Sequence, residues 1–346
     1  MNKNKLVACM LGTILLLGNT MPVLASESQL NVLTLEKAIK QAKQINRDIS
    51  ANERQEVLSA EEVDFALLVG DYNGYKEKYV SQRYVQKKGT LLDSKIEIDI
   101  STIFDEIIVI EKELEILEKN IEIEEKKLKK QQLLKGQGMS SELDLEGTKL
   151  VCEQMKDSRK KAQDKLELKY SELCTMIGSS NQKYILEKDA NIYKPYQERG
   201  DINSWVNTAA EDHINIWKAT EDVKVVELPS YTSDYMLYIK NKEKIEQSKD
   251  KLDNTEEMVA NQIRQIYTQV RQLEAQYELI TKKIEIQEKQ VKVNESYLLN
   301  GLIAELEYDQ AVIELENTQI ELEKLINNHT YLKKQLNNPS LISVGK

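Results

Sequence analysis

The sequence predicts an all-α protein built from duplicated long antiparallel helical hairpins, with little or no β structure. Three observations carry this prediction: proline is nearly absent, helix-favouring Glu, Lys, Leu, Ile and Gln are abundant, and apolar residues recur at helical spacing. A proline costs a helix interior about 3 kcal/mol, and the four prolines stand at positions 22, 195, 229 and 339. The long runs between them can therefore be helical.

An internal repeat divides the chain into two copies. Gly138 and Gly301 stand 163 positions apart, and each follows a long apolar-periodic run. The same offset relates further pairs: Asp71-Tyr72 with Asp234-Tyr235, Tyr75 with Tyr238, Phe104 with Tyr267, Leu143 with Leu306, and Leu173 with Leu336. One offset that holds without gaps over about a hundred residues indicates duplication.

Each copy carries a heptad pattern in which the steps between apolar residues alternate between four and three. A period of 3.5 predicts left-handed coiled-coil packing. The first copy contributes Ile96, Ile100, Ile103, Ile107, Ile110, Leu114, Leu117 and Ile121. The second contributes Val259, Ile263, Ile266, Val270, Leu273, Tyr277, Ile280 and Ile284.

Each copy is predicted to contain three helices, the second and third of which form a hairpin at the glycine turn. The helices are expected at about 33–68, 74–135 and 140–177, and again at about 202–227, 234–299 and 303–336. The predicted units are a signal peptide (1–25), a first repeat (26–177), a linker (178–200), a second repeat (201–338) and a tail (339–346). Within the linker, the letters KYIL suggest a short strand.

The first residues have the pattern of a secretory signal. Lys3 and Lys5 precede the apolar run 6–18, and Val23-Leu24-Ala25 offers a cleavage site that ends in a small residue, after which we expect cleavage. The alternative is a retained membrane anchor, but polar residues after position 18 keep the run below the roughly 20 residues that a spanning helix needs. We expect an exported protein of the cell envelope or extracellular face, with no membrane-spanning segment once the signal is removed.

Composition and motifs argue against several classes of function. The net charge of −10 argues against nucleic acid as a partner. The only histidines, His213 and His329, lack the neighbours of a metal site, and no catalytic motif is present. We therefore expect no enzyme, no cofactor and no metal. Cys152 and Cys174 lie 22 residues apart on one predicted helix, about 33 Å, which is too far for a mutual disulfide.

Several segments resemble the outer-membrane efflux protein family, the TolC-like exit ducts. The opening LTLEKAIKQAKQINRDI (33–49) is similar to that family's first helix. The turns GMSSELDL (138–145) and GLIAELEY (301–308) are similar to its hairpin turns, and SELCTMIG (171–178) to its repeat ending. The resemblance covers nearly all of the chain after the signal peptide.

The resemblance implies a homotrimer that works with a membrane-fusion adaptor and an inner-membrane pump. In that family each chain gives four strands to an outer-membrane β-barrel and helices to a long α-barrel. Here the segments in the strand positions, 66–76 and 226–238, are too short, because a membrane strand needs about 9–11 residues and each gap must hold two. We therefore expect that this chain lacks those strands.

The resemblance places the glycine turns at the tip of the α-barrel, where an adaptor hairpin docks. The candidate docking residues are Gly138, Met139, Ser140, Gly301, Leu302 and Ile303. Apolar side chains exposed at such a tip would favour docking. The alternative is an ordinary turn that only ends one helix and begins the next.

The same resemblance makes Asp144 and Glu307 candidates for an acidic ring at the pore tip. Three copies would place six carboxylates around one opening, which would select cations. The alternative is that each acid only stabilises the N-terminus of its helix. Gln310 occupies the position where an inner acidic ring is usual, so a second ring is not expected.

The aromatic residues are assigned mainly to packing. Phe104 and Tyr267 lie beside the heptad positions. Four tyrosines cluster at the corners between helices, where they are expected to cap that end or to contact another envelope component: Tyr72, Tyr75, Tyr235 and Tyr238.

The sequence supports three hypotheses for function. The first is a passive TolC-like efflux conduit or cap, and the second is a secreted coiled-coil spacer or scaffold of the envelope. The third is an adaptor-like subunit, which would need lipoyl-type β segments around its hairpin, and none is recognisable in the sequence.

Overall fold

The computed structural model describes residues 31–180, 182–197, 200–227 and 235–343. Their elements follow in chain order: β1 (Asn31–Thr34), α1 (Leu35–Ile45), α2 (Arg47–Leu68), α3 (Tyr72–Gly136), α4 (Glu142–Ile177), β2 (Tyr184–Glu187), α5 (Ile202–Glu211), α6 (Ile214–Val226), α7 (Tyr235–Leu299), α8 (Glu305–Asn337) and a 3₁₀ turn (Pro339–Leu341). The prediction of a helical protein with duplicated long hairpins is confirmed.

Two long hairpins dominate the molecule. Helices α3 and α7 have 65 residues each, about 98 Å at 1.5 Å per residue. Helix α3 packs against α4, and α7 packs against α8. The heptad residues face these contacts: Ile100, Ile107 and Ile110 are almost fully buried in the first copy, and Val259 and Ile263 in the second. These predicted heptad residues therefore lie in the buried cores of the two hairpins.

The two aromatic residues beside the seams pack as predicted. Phe104 is fully buried in the first core cluster, between α1, α3 and α4. Tyr267, its counterpart in the second copy, is partly buried, and its ring lies 5.8 Å from that of Trp205 on α5. The Phe104 ring fills the first core, whereas in the second core the rings of Tyr196, Trp205 and Tyr267 contact one another.

The first helix of each copy is broken in two, which corrects the predicted continuous helices at 33–68 and 202–227. At the first break, the Asn46 side-chain oxygen accepts hydrogen bonds from the backbone N–H groups of Asp48 and Ile49. At the second, Nδ1 of His213 accepts from the N–H of Asn215 at 3.1 Å. A side chain that satisfies the first free donors of a helix allows a new helix to begin there.

A two-stranded parallel sheet joins the start of the chain to the linker. Strand β2 coincides with the suggested strand in the linker, whereas its partner β1 was expected to be the start of a helix. The register pairs Asn31 with Tyr184 and Thr34 with Glu187. Thr34 also caps α1, because its side chain accepts from the N–H of Lys37.

Beyond β2 the linker ties the two copies together. Lys188 forms a 2.5 Å ion pair with Asp105 of α3, and both side chains are largely buried. The side-chain amide of Asn191 donates to Asp105 at 3.1 Å and to Asn327 of α8 at 2.8 Å. The linker is therefore a strap across α3 and α8, which fixes one hairpin against the other.

A polar cluster holds the end of this strap against the second hairpin. Glu274 on α7 accepts hydrogen bonds from the backbone N–H of Tyr196 at 2.6 Å and from Arg271 at 2.6 Å, and His329 on α8 lies 3.4 Å away. Burial acts to raise the pKa of Glu274, but these hydrogen bonds hold it below its ordinary value. The buried His329 ring therefore has a hydrogen-bond partner in Glu274.

The histidines make the stability of the fold depend on pH. His213 is 1% exposed, and burial lowers its pKa below the ordinary value of 6.5. As pH falls, the unfolded chain therefore binds a proton before the folded chain does, and the folded state loses stability below about pH 6.5. We expect the free energy of unfolding to fall by up to about 1 kcal/mol for this histidine between pH 7.5 and 5.5.

Urea titrations at several pH values measure this effect. The matched variant is His213→Asn, because asparagine can still cap α6 but does not titrate. In this variant the free energy of unfolding should depend less strongly on pH between 7.5 and 5.5. Some dependence of the same sign should remain, because burial also lowers the pKa of His329. An unchanged slope in His213→Asn would contradict this assignment.

The remaining expectations concern the cysteines and the helix corners. Cys152 and Cys174 are both free and buried on α4. Segment 66–76 holds the end of α2, a three-residue turn and the start of α3, whereas 226–238 lies partly outside the described residues. Within the described ranges, no helix combines the length and apolarity needed to cross a bilayer.

Candidate functional site: the glycine turns and the open helix faces

The two glycine turns have the same backbone geometry. Gly138 and Gly301 adopt φ values of +74° and +68°, in the left-handed region. The N–H of Met139 donates to the carbonyl of Leu134 at 2.8 Å, and the N–H of Leu302 donates to that of Tyr297 at 2.8 Å. This pattern is a Schellman motif, which satisfies the last carbonyls of a helix and favours glycine.

Two of the candidate docking side chains stand out from the turns. Met139 is 73% exposed and Leu302 is 69% exposed. Ser140 is half-buried, and its hydroxyl accepts a hydrogen bond from the side-chain amide of Gln131 at 2.6 Å. Ile303 is also half-buried, although it was expected to be exposed. Each tip thus presents one large apolar side chain.

The two candidate acids have different local roles. Asp144 belongs to a capping box: its N–H donates to the Ser141 hydroxyl, and its carboxylate accepts from the Ser141 N–H. Hydrogen bonds from the side chain and backbone of Ser141 lower the pKa of Asp144 below its ordinary value. Glu307 lies in the first turn of α8, which has no side-chain cap at Ala304. Both acids, and Gln310, are exposed.

The two hairpins meet along a seam between α3 and α8. Six apolar residues form it, each seven positions from the next on its helix: Val109, Ile116 and Ile123 on α3, and Leu306, Ile313 and Ile320 on α8. All are buried except Leu306, which is partly buried. We call this set the α3–α8 seam. Its spacing is that of an antiparallel coiled coil.

Ion pairs flank the α3–α8 seam at the same interval. Lys119 pairs with Glu316 at 2.5 Å, and Lys126 pairs with Asp309 at 3.4 Å and with Glu305 at 3.3 Å. Such partly exposed pairs contribute little stability, but they specify which helix faces meet and in which register.

The repeat places counterparts of the α3–α8 seam residues on helices α4 and α7. In the described part of the chain these counterparts are exposed. The offset of 163 carries Ile116 and Ile123 to Leu279 and Ile286 of α7, each 67% exposed. It carries Leu306 and Ile313 to Leu143 and Leu150 of α4, which are 78% and 55% exposed. We call Leu143 and Leu150 the open face of α4, and Leu279 and Ile286 the open face of α7.

The flanking charges are also repeated on the open faces. The offset carries Lys119 and Lys126 to Lys282 and Lys289 of α7. It carries Glu316, Asp309 and Glu305 to Glu153, Glu146 and Glu142 of α4. Glu142 pairs with Lys135, whereas the other four form no ion pair within the part of the chain that the structure describes.

The equivalence is confined to the half of each helix nearest the glycine turns. Farther away, Val109 and Ile320 correspond to Gln272 and Asp157, which cannot form an apolar layer. These faces were not predicted from the sequence, although the offset and the heptads on which they rest are visible in it. The missing information was which helices contact each other within one chain.

Comparison with known proteins agrees with this architecture. No protein-family model matches the sequence, and no curated protein matches it. The fold is that of outer-membrane efflux channels of the TolC type, as solved structures show. The resemblance inferred from the sequence is therefore confirmed at the level of the fold.

Three solved structures illustrate the similarity. The channel CusC superposes with a TM-score of 0.65 at 10% identity, covering 89% of this chain and 91% of CusC. CmeC of Campylobacter jejuni gives 0.59 at 10% identity, covering 98% and 96%. VceC of Vibrio cholerae gives 0.58 at 9% identity, covering 89% and 95%. At such identities the comparison establishes the fold alone.

Proposed function

We propose that the chain is a TolC-like export component, a passive helical conduit or cap that docks a membrane-fusion adaptor and pump in the cell envelope. Of the solved structures that share its fold, CusC is described in terms of a transmembrane channel, CmeC as an outer membrane channel and VceC as an outer membrane protein. The observation that carries the proposal is the pair of open faces on α4 and α7. In this proposal the chain is not an enzyme and acts by forming a passage that its partners open.

The open faces indicate how copies would assemble. The face of α7 is equivalent to the α3 side of the α3–α8 seam, and the face of α4 is equivalent to its α8 side. In the proposed assembly, α7 of one chain packs antiparallel against α4 of the next chain. Because the two faces differ, the contact is heterologous, and such contacts close into a ring when the rotation allows. The proposed ring is a homotrimer.

The register of that contact follows from the α3–α8 seam. Leu279 and Ile286 of one chain would pack among Leu143 and Leu150 of the next, as Ile116 and Ile123 pack among Leu306 and Ile313 within one chain. The proposed intermolecular ion pairs are Lys282–Glu153 and Lys289–Glu146. Lys289 would also lie near Glu142, the counterpart of Glu305. Burial of the four apolar side chains drives association, at about 1.5–3 kcal/mol each.

Charge reversal tests this register. Lys282→Glu with Lys289→Glu should weaken assembly by about tenfold or more, because like charges would face each other along the seam. Reversing the partners in the same chain, with Glu153→Lys and Glu146→Lys, should restore assembly. The dependence of native mass on protein concentration measures both effects. If the fourfold variant assembles no better than the double variant, the register is wrong.

In a ring, the glycine turns of all copies meet at one end. Met139 and Leu302 then form a circle of exposed apolar side chains, which is the proposed docking surface for the adaptor hairpin. The other four docking candidates are Gly138, Ser140, Gly301 and Ile303, which shape the turns. Asp144 and Glu307 would supply the acidic ring around the opening, even though Asp144 also caps α4.

The docking surface can be tested without disturbing the fold. Met139→Asp with Leu302→Asp should abolish capture of a membrane-fusion adaptor in a pull-down, because two charged side chains replace the apolar contact at each tip. Both residues are largely exposed, so native mass and helicity should not change. Gln137→Asp with Asn300→Asp is the matched control, because it adds the same charge to the same turns at exposed polar positions. Undiminished capture by the first variant would contradict the docking assignment.

The second candidate function is a structural spacer of the envelope. The narrow apolar stripes and charged outer surfaces of the long helices also suit a coiled-coil spacer. A spacer would not need two complementary open faces in matching register, which is why the conduit is preferred.

Electron-microscope images of the assembled chain distinguish the two functions. The conduit predicts rings of three copies around a central opening when viewed down the long axis. Single rods, or filaments without an opening, would favour the spacer and contradict the conduit.

A further inference from the structure

The starts of the two long helices lie at the same end of the molecule. Helix α3 runs antiparallel to α8 along the α3–α8 seam, and α7 runs antiparallel to α8 within its hairpin. Helices α3 and α7 are therefore parallel. Their first turns lie at one end, and the glycine turns lie at the other.

The first residues of α7 form an apolar surface that extends around the whole helix. Residues 235–239 read YMLYI, and all five are exposed; Tyr235 is 72% exposed and Tyr238 is 57% exposed. Successive residues of an α-helix are turned by about 100°, so five of them cover the full circumference. A groove on a partner protein contacts one stripe of a helix. An apolar surface on all sides suits a surrounding apolar medium instead.

The corner between α2 and α3 adds a second apolar group at this end. Phe65, Leu68 and Tyr72 are 64%, 84% and 64% exposed. Tyr72 is the repeat counterpart of Tyr235, so the two copies present equivalent aromatic side chains. We call these three residues and 235–239 the corner surface.

Basic side chains follow the corner surface on both helices. Lys240, Lys242 and Lys244 follow directly on α7, with only one acid among them. On α3, residues 72–88 contain five basic side chains and one acidic side chain, in a chain whose net charge is −10. Acids are also present, since Glu62 of α2 pairs with Lys78, and Asp64 and Asp71 lie beside the corner surface, so the charge at this end is mixed.

We propose that the corner surface inserts into the interfacial layer of a lipid bilayer. Five helical residues span about 7 Å, which matches the 5–10 Å depth of interfacial insertion. Tyrosine is enriched at that depth, and lysines that follow it extend their charged ends to the headgroup layer. The observations that carry this inference do not depend on the proposed conduit, although a trimer would present three corner surfaces at once.

Flotation with vesicles made of equal parts phosphatidylcholine and phosphatidylglycerol tests the proposal. The protein is the chain from Ser26 onward, which contains every described residue and lacks the apolar run 6–18, whose own lipid affinity would mask the effect. It should float with the vesicles. The corner variant carries five changes: Phe65→Ser, Leu68→Ser, Tyr235→Ser, Tyr238→Ser and Ile239→Ser. It should bind about tenfold more weakly or worse.

The control variant changes equally exposed side chains at the opposite end. It carries Met139→Ser, Leu299→Ser and Leu302→Ser, whose wild-type side chains are 73%, 83% and 69% exposed. It should bind vesicles like the unchanged chain. Circular dichroism establishes that both variants keep their helices.

A second readout reports where the protein touches the lipid. A polarity-sensitive dye on Tyr235→Cys should shift to the blue when vesicles are added, and the same dye on Leu299→Cys should not; the native Cys152 and Cys174 are buried. Absence of vesicle binding, equal binding by the corner and control variants, or a shift at position 299 alone would each overturn the proposal.

Discussion

Replacing Leu279 and Ile286 by aspartate is expected to separate the assembled protein into single chains. Both side chains belong to the open face of α7, and each would be buried against α4 of the next copy. Losing two apolar contacts per interface, and placing charges there instead, should weaken association by at least about 100-fold. Because both residues are 67% exposed in one chain, the fold of that chain should be unaffected. Light scattering measures the native mass.

A matched variant separates the position of the change from its chemistry. Leu68→Asp with Leu299→Asp introduces the same charges at side chains that are 84% and 83% exposed but lie outside the open faces. Its native mass should equal that of the unchanged protein. If both double variants dissociate, or neither does, the open face of α7 is not the site of assembly.

Replacing Phe104 by alanine is expected to cost about 3–5 kcal/mol of protomer stability. The ring is fully buried among Ile100, Ile107 and Leu173, and its removal leaves a cavity that rigid helices cannot close. Urea unfolding measures the loss. The measurement is best made on the separated Leu279→Asp, Ile286→Asp chain, because assembly would add a concentration-dependent contribution.

The repeat provides a control for the Phe104 prediction. Tyr267 occupies the equivalent position but is only partly buried, and its hydroxyl accepts a hydrogen bond from Arg271 at 2.9 Å. Tyr267→Ala should therefore cost distinctly less than Phe104→Ala. Equal losses at the two positions would show that the two cores are packed alike, contrary to the burial of the two rings.

The sequence was sufficient to predict the long helices, because their evidence is local and repeated. The steps of three and four from Ile96 onward, the scarcity of proline and the two glycines locate both hairpins within a few residues of their observed bounds. Heptad side chains form their contacts with an adjacent antiparallel helix, so a pattern in one segment also predicts its partner.

Features that depend on distant or single side chains were not predictable in the same way. Strand β1 pairs with a strand about 150 residues later, and nothing in its own four residues requires that partner. The breaks at Asn46 and His213 interrupt good helical patterns. They occur because each of these two side chains accepts a hydrogen bond from a backbone N–H group of the helix that follows. Local periodicity does not report either effect.

The candidate site was predicted in part. Both glycine turns, the exposed Met139 and the exposed Leu302 stand where the sequence placed them. The capping role of Asp144 was one of two stated alternatives, and the structure supports it. The open faces were missed because Leu279 and Leu150 look like ordinary helix residues until α3 and α8 are seen to contact each other.

Cross-linking between chains is the most direct test of the proposed contact between α4 and α7. One preparation carries Leu150→Cys, another carries Leu279→Cys, and a short bis-maleimide is added to each alone and to a mixture that has been dissociated and reassembled. One product that joins the two kinds of chain is expected, because α4 of one chain would face α7 of the next. Products that join only like chains, or no product in the mixture, would contradict it.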